Sequence, residues 1–269
     1  MTPVAVSREY VARHEPGITA VRADNPGPLT LTGTQTYVIG TGPIILLDPG
    51  PRDEAHLGRV NEVIGGRPVA AVCLTHAHAD HSESAAEAAA RWGPLRASPA
   101  TLDRVGSAGR RLADGEAMEL AEGLRLRAIA TPGHSADHLC YLLEPARSLF
   151  TGDLVLGEGS TMIAHPDGSV EDYLASLARL ADLRPQRLMP GHGPPVDAAL
   201  ARLEECRAHR LQRVESVRRS LETGARTPER IRAAVYGDLP VSHRAAADLT
   251  IRAYLAFLGE THSSISRRR

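Results

Sequence analysis

Lysine is absent from this 269-residue sequence, in which all 31 basic residues are arginine. The absence excludes a lysine nucleophile or Schiff-base residue from any mechanism. Cysteine is scarce: only Cys73, Cys140 and Cys206 occur, at a spacing that fits neither a disulfide framework nor a zinc knuckle. We therefore expect the three cysteines to be small buried residues of a protein in a reducing compartment.

Aromatic residues and long apolar runs are also scarce. Only 3% of the residues are aromatic, which leaves little material for a base-stacking surface and argues against a dedicated single-strand binder. The first 25 residues contain no apolar run of signal-peptide length, and no later segment reaches the roughly 18 apolar residues of a membrane span. The sequence therefore predicts a cytoplasmic protein without membrane contact, which counts against an exported antibiotic-degrading enzyme.

The remaining composition is typical of a globular chain with a sizeable core, at 42% hydrophobic and 23% charged residues. Residues 1–195 alternate strand-like runs with helical patterns, which predicts an α/β fold. Two of these runs flank Thr41-Gly42-Pro43 and predict a hairpin. The predicted strands are 36–40, 44–48, 69–75, 124–130, 140–144, 148–152 and 187–191, and the predicted helices are 82–92 and 171–183.

The composition changes near residue 197. A long helical pattern runs to Gly224, a second helix is predicted to start at Thr227-Pro228, and a third ends at Gly259. Residues 1–200 hold 17 arginines against 24 acidic residues, whereas residues 201–269 hold 14 against 8. We expect a catalytic domain over 1–197 and a helical or winged-helix-like domain over 198–269. Its basic charge indicates either a polyanion contact or solvated helix faces with a disordered arginine tail at 267–269.

The segment THAHADH, residues 75–81, places three histidines and one aspartate directly after a predicted buried strand. Neutral imidazoles and a carboxylate are the ligands that zinc favours when a coordination position must stay open for catalysis. His76 and His78 are two residues apart and face the same way on an extended loop, whereas Asp80 and His81 point to a neighbouring position. This spacing predicts two adjacent metal ions.

Three more candidate ligands each follow a strand-like run and a glycine: His134 in TPGH, Asp153 in TGD and His192 in PGH. A glycine lets the backbone approach a crowded metal cluster closely. Each signal is weak alone, but together and in this order they complete a set of seven ligands.

The order HxHxDH, GH, GD, GH resembles the metallo-β-lactamase superfamily over about residues 20–195. The resemblance implies an αββα sandwich with two zinc ions at one edge of the two sheets. It implies a bridging hydroxide as nucleophile, because two cations lower the pKa of bound water, with Asp80 as the catalytic residue that manages the proton. The implied ligands are His76, His78 and His134 for the first zinc, Asp80, His81 and His192 for the second, and Asp153 as the bridge.

Segments 25–40, 46–50, 131–138 and 152–162 resemble the lactamase-beta-2-like branch. That branch carries a small winged-helix domain and includes single-strand endoribonucleases and thioesterases that release polyketides from carrier proteins. The sequence departs from the branch at Gln35, where Asn is usual, at Pro49, where Thr is usual, and at residues 82–84, which replace a Gly-Gly pair. None of these departures removes a ligand, but Gln35 bears on the substrate.

The function predicted from the sequence is a two-zinc hydrolase that acts on a thioester, ester or lactone, or on single-stranded RNA as an endoribonuclease. A mononuclear-iron sulfur dioxygenase keeps HxHxDH and is the alternative of another class. A non-catalytic module is disfavoured because no ligand is missing. The sequence indicates no protein partner.

Several other residues have weaker roles. Asp48 resembles a carboxylate that orients a metal-bound imidazole, and the alternative is an aspartate that starts a turn before Pro-Gly. By resemblance His138 belongs to the pocket wall, and His165 is a candidate for the substrate cleft. Trp92 is predicted to anchor the core. Four histidines outside any motif are predicted to lie at the surface: His14, His209, His243 and His262.

Overall fold

The computed structural model describes residues 9–15 and 17–259, so the arginine tail and His262 lie outside the described residues. Strands β1 to β7 form one sheet in sequence order, and β8 to β12 form a second sheet in the order β12-β11-β10-β9-β8. The strands are β1 (Val11–Arg13), β2 (Ile18–Arg22), β3 (Gln35–Ile39), β4 (Ile44–Leu47), β5 (Val69–Cys73), β6 (Leu95–Ala97), β7 (Arg110–Arg111), β8 (Ala117–Glu119), β9 (Arg125–Ala130), β10 (Leu139–Glu144), β11 (Ser148–Gly152) and β12 (Arg187–Pro190).

Eight α-helices flank the two sheets in the described part of the chain, and Ala121–Gly123 form a short 3-10 helix between β8 and β9. The α-helices are α1 (Glu54–Ile64), α2 (Ala79–Ser82), α3 (Ala85–Arg91), α4 (Pro99–Val105), α5 (Val170–Asp182), α6 (Ala199–Glu222), α7 (Pro228–Tyr236) and α8 (Val241–Phe257). The predicted hairpin is confirmed, since β3 and β4 pair antiparallel. The helix predicted over 82–92 is wrong at its start, because the chain forms the short helix α2 before α3. No described helix is long and apolar enough to cross a membrane.

The alternation of side chains along the strands builds the layers. In β4, Ile45 and Leu47 face the other sheet, whereas Ile44 and Leu46 face the helices on the outer side. In β10, Tyr141 packs between the sheets, while Cys140 faces the helices on the opposite side. Because both faces of these strands are buried, each reads as a continuous apolar run. The predicted αββα sandwich is confirmed.

Helices α6 to α8 share the apolar core that covers the outer face of the second sheet. Val214 of α6 and Tyr254 of α8 belong to the same buried cluster as Tyr173 and Leu177 of α5. Thr227 caps α7 with Pro228 in its first turn, as predicted. Residues 199–259 form three helices with no strand between them, so the C-terminal helices are confirmed, whereas the winged-helix arrangement and the domain boundary at 197 stay predictions.

Candidate metal centre

The seven predicted ligands come from four separate chain segments that meet at one edge of the sandwich. His76 and His78 follow β5, and α2 carries the next pair of ligands. The other three follow the ends of β9, β11 and β12. The structure gathers them into two adjacent groups whose ligand atoms each lie within 4.8 Å of one another: His76, His78, His134 and Asp153 in the first, and Asp80, His81 and His192 in the second.

In the first group, three imidazole nitrogens converge on one point. The Nδ1 of His78 lies 2.9 Å from Nε2 of His76 and 2.9 Å from Nε2 of His134. His134 directs its other nitrogen, Nδ1, at the carbonyl oxygen of Met162 at 2.8 Å, which requires a proton on Nδ1 in the neutral ring and leaves a lone pair on Nε2. This arrangement turns a basic nitrogen towards the shared point, as a metal ligand requires.

The second group has the same convergent form with an additional carboxylate. Nε2 of His192 lies 3.1 Å from Oδ2 of Asp80 and 3.3 Å from Nε2 of His81. Asp80 and His81 reach this position from consecutive residues of α2. The sequence predicts a loop over the whole segment, but Ala79–Ser82 form the helical turn α2.

Asp153 lies between the two groups. Its Oδ1 is 3.2 Å from Nε2 of both His81 and His192, and its Oδ2 is 3.8 Å from Nε2 of His134. The Oδ1 atom is buried and has no hydrogen-bond partner among the described residues. A buried carboxylate oxygen without a partner is costly unless a cation compensates it, so the donor set fits two divalent ions with Asp153 between them.

The outer nitrogens of the imidazoles are anchored, which fixes the ring orientations. Nδ1 of His81 lies 2.9 Å from Oδ2 of Asp48, and Nδ1 of His76 lies 2.9 Å from Oγ1 of Thr75. Asp48 also accepts hydrogen bonds from the backbone N and the Oγ1 of Thr75, at 2.7 and 2.8 Å. The structure thus gives Asp48 the orienting position expected from the sequence. Its backbone has φ 52°, a left-handed conformation that costs energy in a non-glycine residue.

The electrostatics of the two groups differ. Burial lowers the pKa of His76 well below its usual value, and the neighbouring imidazoles lower it further, which keeps His76 neutral. For His81 and His192 burial acts in the same direction, but nearby carboxylates, above all Asp153, outweigh it. They raise the pKa of His81 well above its usual value and that of His192 to about 9. The carboxylates therefore favour positive charge at His81 and His192, whereas burial keeps His76 neutral.

Glycine permits the crowding at this edge. A Cβ at Gly191 would lie 2.7 Å from Cε1 of His81 and 2.8 Å from Oδ1 of Asp153. At Gly152, where φ is +46°, a Cβ would meet Thr75 at 2.8 Å and Nε2 of His138 at 2.7 Å. The role proposed for these glycines from the sequence thus has a steric basis.

Two buried arginines of α6 fasten the segment 156–162 beside the first group. Arg202 donates to the carbonyl oxygens of Leu156 and Gly159, at 3.2 and 2.6 Å. Arg210 donates to the carbonyl oxygen of Thr161 at 2.8 Å and to Oγ of Ser160 at 3.2 Å. Since this segment also carries Met162, whose carbonyl oxygen anchors His134, the C-terminal helices support the position of a predicted metal ligand.

A cavity of about 800 Å³ opens onto the two groups, and His78, Asp80, His134 and Asp153 lie on its floor. Residues 28–31 and 156–162 form two of its sides. The C-terminal helices form the remaining wall, with Tyr236 of α7 and Ala246, Ala247 and Tyr254 of α8. Most of this lining is apolar, which is typical of sites for small organic molecules.

The structure corrects three interpretations made from the sequence. His138 is not on the cavity wall but is buried behind the site, where its Nδ1 lies 3.0 Å from Oγ1 of Thr131 and its Nε2 accepts from the backbone N of Asp153. His165 is exposed in a turn and does not line the cavity. His209 and His243 were predicted to lie at the surface, but both are partly buried and line the cavity. His209 lies on α6 and His243 near the start of α8. Their positions indicate a cavity wall only once the packing of these two helices is known.

The comparisons with known proteins agree with this fold and site. The chain matches the Metallo-beta-lactamase superfamily over residues 29–192. It is 32% identical over 248 residues to the Beta-lactamase-like protein 2 homolog of Caenorhabditis elegans, covering 89% of this chain and 83% of that protein. The chain therefore belongs to the metallo-β-lactamase superfamily, as a metal-dependent hydrolase.

Two further similarities add detail. The chain is 30% identical over 241 residues to the atrochrysone carboxyl ACP thioesterase of Aspergillus chevalieri, covering 86% of this chain and 76% of that protein. A beta-lactamase domain protein from Burkholderia ambifaria has a TM-score of 0.79 at 22% identity, covering 93% of this chain and 87% of that one. The second similarity supports the fold alone.

Proposed function

We propose that this protein hydrolyses acyl thioesters, or closely related carboxylic esters, at a site that holds two zinc ions. The observation that carries the proposal is the apolar cavity that opens directly onto the two ligand groups. A volume of about 800 Å³ suits an acyl group of drug-like size. The named activity of the Aspergillus chevalieri relative, thioester cleavage on an acyl carrier protein, agrees with this chemistry.

Two zinc ions, when bound, would polarise the acyl carbonyl and lower the pKa of a water molecule towards neutrality. The residues supply the rest of the chemistry. His76, His78 and His134 would hold one ion, Asp80, His81 and His192 would hold the other, and Asp153 would contribute one oxygen to each. Borderline nitrogen ligands with carboxylates favour zinc over the harder magnesium and calcium ions.

Asp80 is the residue proposed to move the proton. Its carboxylate is partly exposed on the cavity floor, and its Oδ2 lies 3.1 Å from Nε2 of His192 and accepts from Oγ1 of Thr34 at 3.4 Å. Burial raises the pKa of Asp80, but His81 and His192 outweigh burial and lower it below its usual value. In this proposal the carboxylate of Asp80 would accept the proton of the attacking water and return it to the leaving thiolate.

RNA cleavage is the alternative that the cavity favours less. A site for single-stranded RNA needs aromatic stacking partners for successive bases, and the described lining has only Tyr236 and Tyr254 as aromatic side chains. A mononuclear-iron dioxygenase would use only the first ligand group. It would not account for the second group, in which the ligand atoms of Asp80, His81 and His192 also lie close together.

The test combines metal analysis with an activity comparison. The purified protein should contain about two zinc ions per chain and release thiol from acyl-N-acetylcysteamine thioesters, followed with a thiol reagent. A variant lacking His76 and His78 should retain no turnover, whereas His165→Ala, in an exposed turn away from the cavity, should match the unmodified protein.

Unstructured RNA at low salt is the competing substrate in the same test. Cleavage of RNA by the intact enzyme but not by the variant lacking His76 and His78, without thioester turnover, would replace the thioester proposal. Iron at one atom per chain would favour the dioxygenase instead.

A further inference from the structure

The C-terminal wall of the cavity carries positive charge that no described carboxylate neutralises. Arg210 and Arg213 of α6 both line the cavity, and Arg210 is only 2% exposed. Neither guanidinium forms an ion pair within residues 9–15 and 17–259, although most arginines there do. Glu158, the acidic residue on the neighbouring side of the cavity, is exposed and pairs with neither of them.

Arg210 is held in place by neutral groups. It donates to the hydroxyl of Tyr254 at 2.7 Å and to the segment 160–161, and its guanidinium lies over the ring of Tyr173 at 5.0 Å. Its Nε is buried and has no hydrogen-bond partner among the described residues. Buried charges in proteins are normally paired, so an unpaired guanidinium beside a cavity indicates that the cavity receives an anion.

Arg213 lies one helical turn further along α6 and is partly exposed to the cavity. Its Nη1 donates to the carbonyl oxygen of Val235 at 2.6 Å, its Nε donates to Nε2 of His209 at 3.3 Å, and its Cζ lies 4.9 Å from the ring centroid of Tyr236. These three contacts fix the guanidinium. Its Nη2 donates to no residue in the described part of the chain, so one charged donor remains for a ligand.

The behaviour of His209 agrees with a positive potential at this wall. Burial lowers the pKa of His209, and the charges of Arg210 and Arg213 lower it further. The imidazole is therefore neutral beside the two guanidiniums, and the excess charge stays on the arginines. Apolar side chains on α7 and α8 surround them, so the charge acts in a poorly solvated region.

We infer that Arg213 and Arg210 form an anion subsite in the C-terminal wall of the cavity, which binds a carboxylate or phosphate group of the substrate. Arg213 contacts the anion through Nη2, and Arg210 adds charge from behind. The inference deepens the proposed function and rests on it: the substrate is an acyl thioester that carries an anionic group at a distance from the scissile carbonyl. The anion is either a carboxylate on the acyl group or the phosphate of a pantetheine arm.

Binding measurements on the intact metal-containing protein test the subsite without any turnover. By calorimetry, 2-naphthoate is compared with the neutral 2-naphthamide, and 4′-phosphopantetheine is compared with pantetheine. The unmodified protein should prefer the anionic member of at least one pair. Arg213→Gln should weaken the binding of that anion about 10- to 100-fold, which is the loss expected for a charge-assisted hydrogen bond. The affinity for the neutral member of the pair should not change.

Two further variants complete the experiment. Arg213→Met keeps the aliphatic stem over Tyr236 and serves if Arg213→Gln does not fold. Arg207→Gln is the matched control on the same helix, because Arg207 is exposed, pairs with Glu204 and does not line the cavity.

The outcomes separate the two sources of the anion. A preference for naphthoate that depends on Arg213 identifies an acyl carboxylate, and a preference for phosphopantetheine that depends on Arg213 identifies the carrier arm. An anion preference that survives in both Arg213 variants means that Arg213 does not contact the anion, and it overturns the inference, as does the absence of any preference. If the Arg213-dependent preference is found while no thioester is hydrolysed, the subsite stands and only the thioester assignment fails.

Discussion

The guanidinium of Arg210 donates a hydrogen bond to the carbonyl oxygen of Thr161 at 2.8 Å, while Oγ1 of the same threonine lies 3.1 Å from Nδ1 of His134. Two short contacts therefore join the long C-terminal helix to a predicted metal ligand. The neighbouring carbonyl oxygen of Met162 lies 2.8 Å from the same nitrogen. The C-terminal helices thus have a direct route by which they influence the geometry of the site.

Replacing Arg210 with methionine should loosen that connection. The change leaves the Thr161 carbonyl and the Tyr254 hydroxyl without their buried donor, which should lower the free energy of unfolding by about 3 kcal/mol. The affinity of the first ligand group for zinc should fall as well, because His134 loses part of its support.

Thermal unfolding measures the change in stability, and a competitive zinc titration measures the change in affinity. Arg207→Met on the exposed face of α6 should change stability by less than about 0.5 kcal/mol. Equal behaviour of the two variants would contradict this connection.

The Asp48 carboxylate should strengthen zinc binding at the second ligand group, because it orients His81. Asp48→Asn removes the negative charge that faces Nδ1 of His81 at 2.9 Å, and it weakens the anchor of Thr75. Changes to such orienting carboxylates typically weaken metal binding about 10- to 100-fold. Zinc titration with a chelating indicator measures this. Asp53→Asn is the control, because Asp53 caps α1 and asparagine caps a helix equally well. Unchanged zinc affinity in Asp48→Asn would show that the orientation of His81 does not depend on Asp48.

The sequence predicted which seven side chains the structure brings together, because each of their segments follows the end of a strand. Strand ends are local features, and the glycine before His134, Asp153 and His192 marks the turn that brings each one to the edge. The helical turn that carries Asp80 and His81 was not predicted, since a four-residue helix has no periodicity to detect.

The cavity wall was not predictable by the same means. His209 and His243 have no motif and lie 34 positions apart on different helices, and only the packing of α6 against α8 brings both to one cavity. Arg210 reads as an ordinary charged residue of an amphipathic helix, although it is among the largest fully buried side chains. Long-range packing determines both features, and no local pattern encodes it.

Asp153 should be required by both metal sites. The two carboxylate oxygens of Asp153 face different ligand groups, so Asp153→Ala removes one ligand from each group. It also removes the negative charge that would reduce the repulsion between the two metal ions. The variant should retain much less than one zinc per chain and lose nearly all turnover. Inductively coupled plasma analysis of the dialysed protein measures the content. Asp182→Ala, at an exposed position of α5, should keep both ions. A full complement of zinc in Asp153→Ala would contradict the bridging position.

Helices α6 to α8 should be required for folding as well as for the cavity. A chain ending at residue 197 would expose Tyr173 and Leu177, which pack with Val214 and Tyr254 in one buried cluster. Each large apolar side chain that returns to water costs about 1.5–3 kcal/mol, so the shortened chain should aggregate or unfold. Solubility and circular dichroism provide the readout. A soluble shortened protein with unchanged turnover on every substrate would show that the C-terminal helices form no part of the working site.

Gly191→Ala tests whether crowding at the metal centre requires a glycine at this position, independently of backbone conformation. The φ of Gly191 is not in the left-handed region, so an alanine is sterically allowed by the backbone, yet its Cβ would lie 2.7 Å from His81 and 2.8 Å from Oδ1 of Asp153. Those two groups must move, which should reduce zinc affinity of the second group by at least about tenfold, because ligand geometry must hold within a few tenths of an ångström.

Gly58→Ala is the matched control, since a Cβ at this exposed position of α1 meets nothing within 4 Å. It should stabilise the protein by about 0.5–1 kcal/mol through helix propensity and leave zinc binding unchanged. Zinc titrations should therefore show weaker binding in Gly191→Ala only, and unfolding curves should show a more stable protein in Gly58→Ala. Normal zinc affinity in Gly191→Ala would mean that the edge of the sandwich has more room than these contacts allow, and the close approach of Gly191 to Asp153 would then have no part in forming the site.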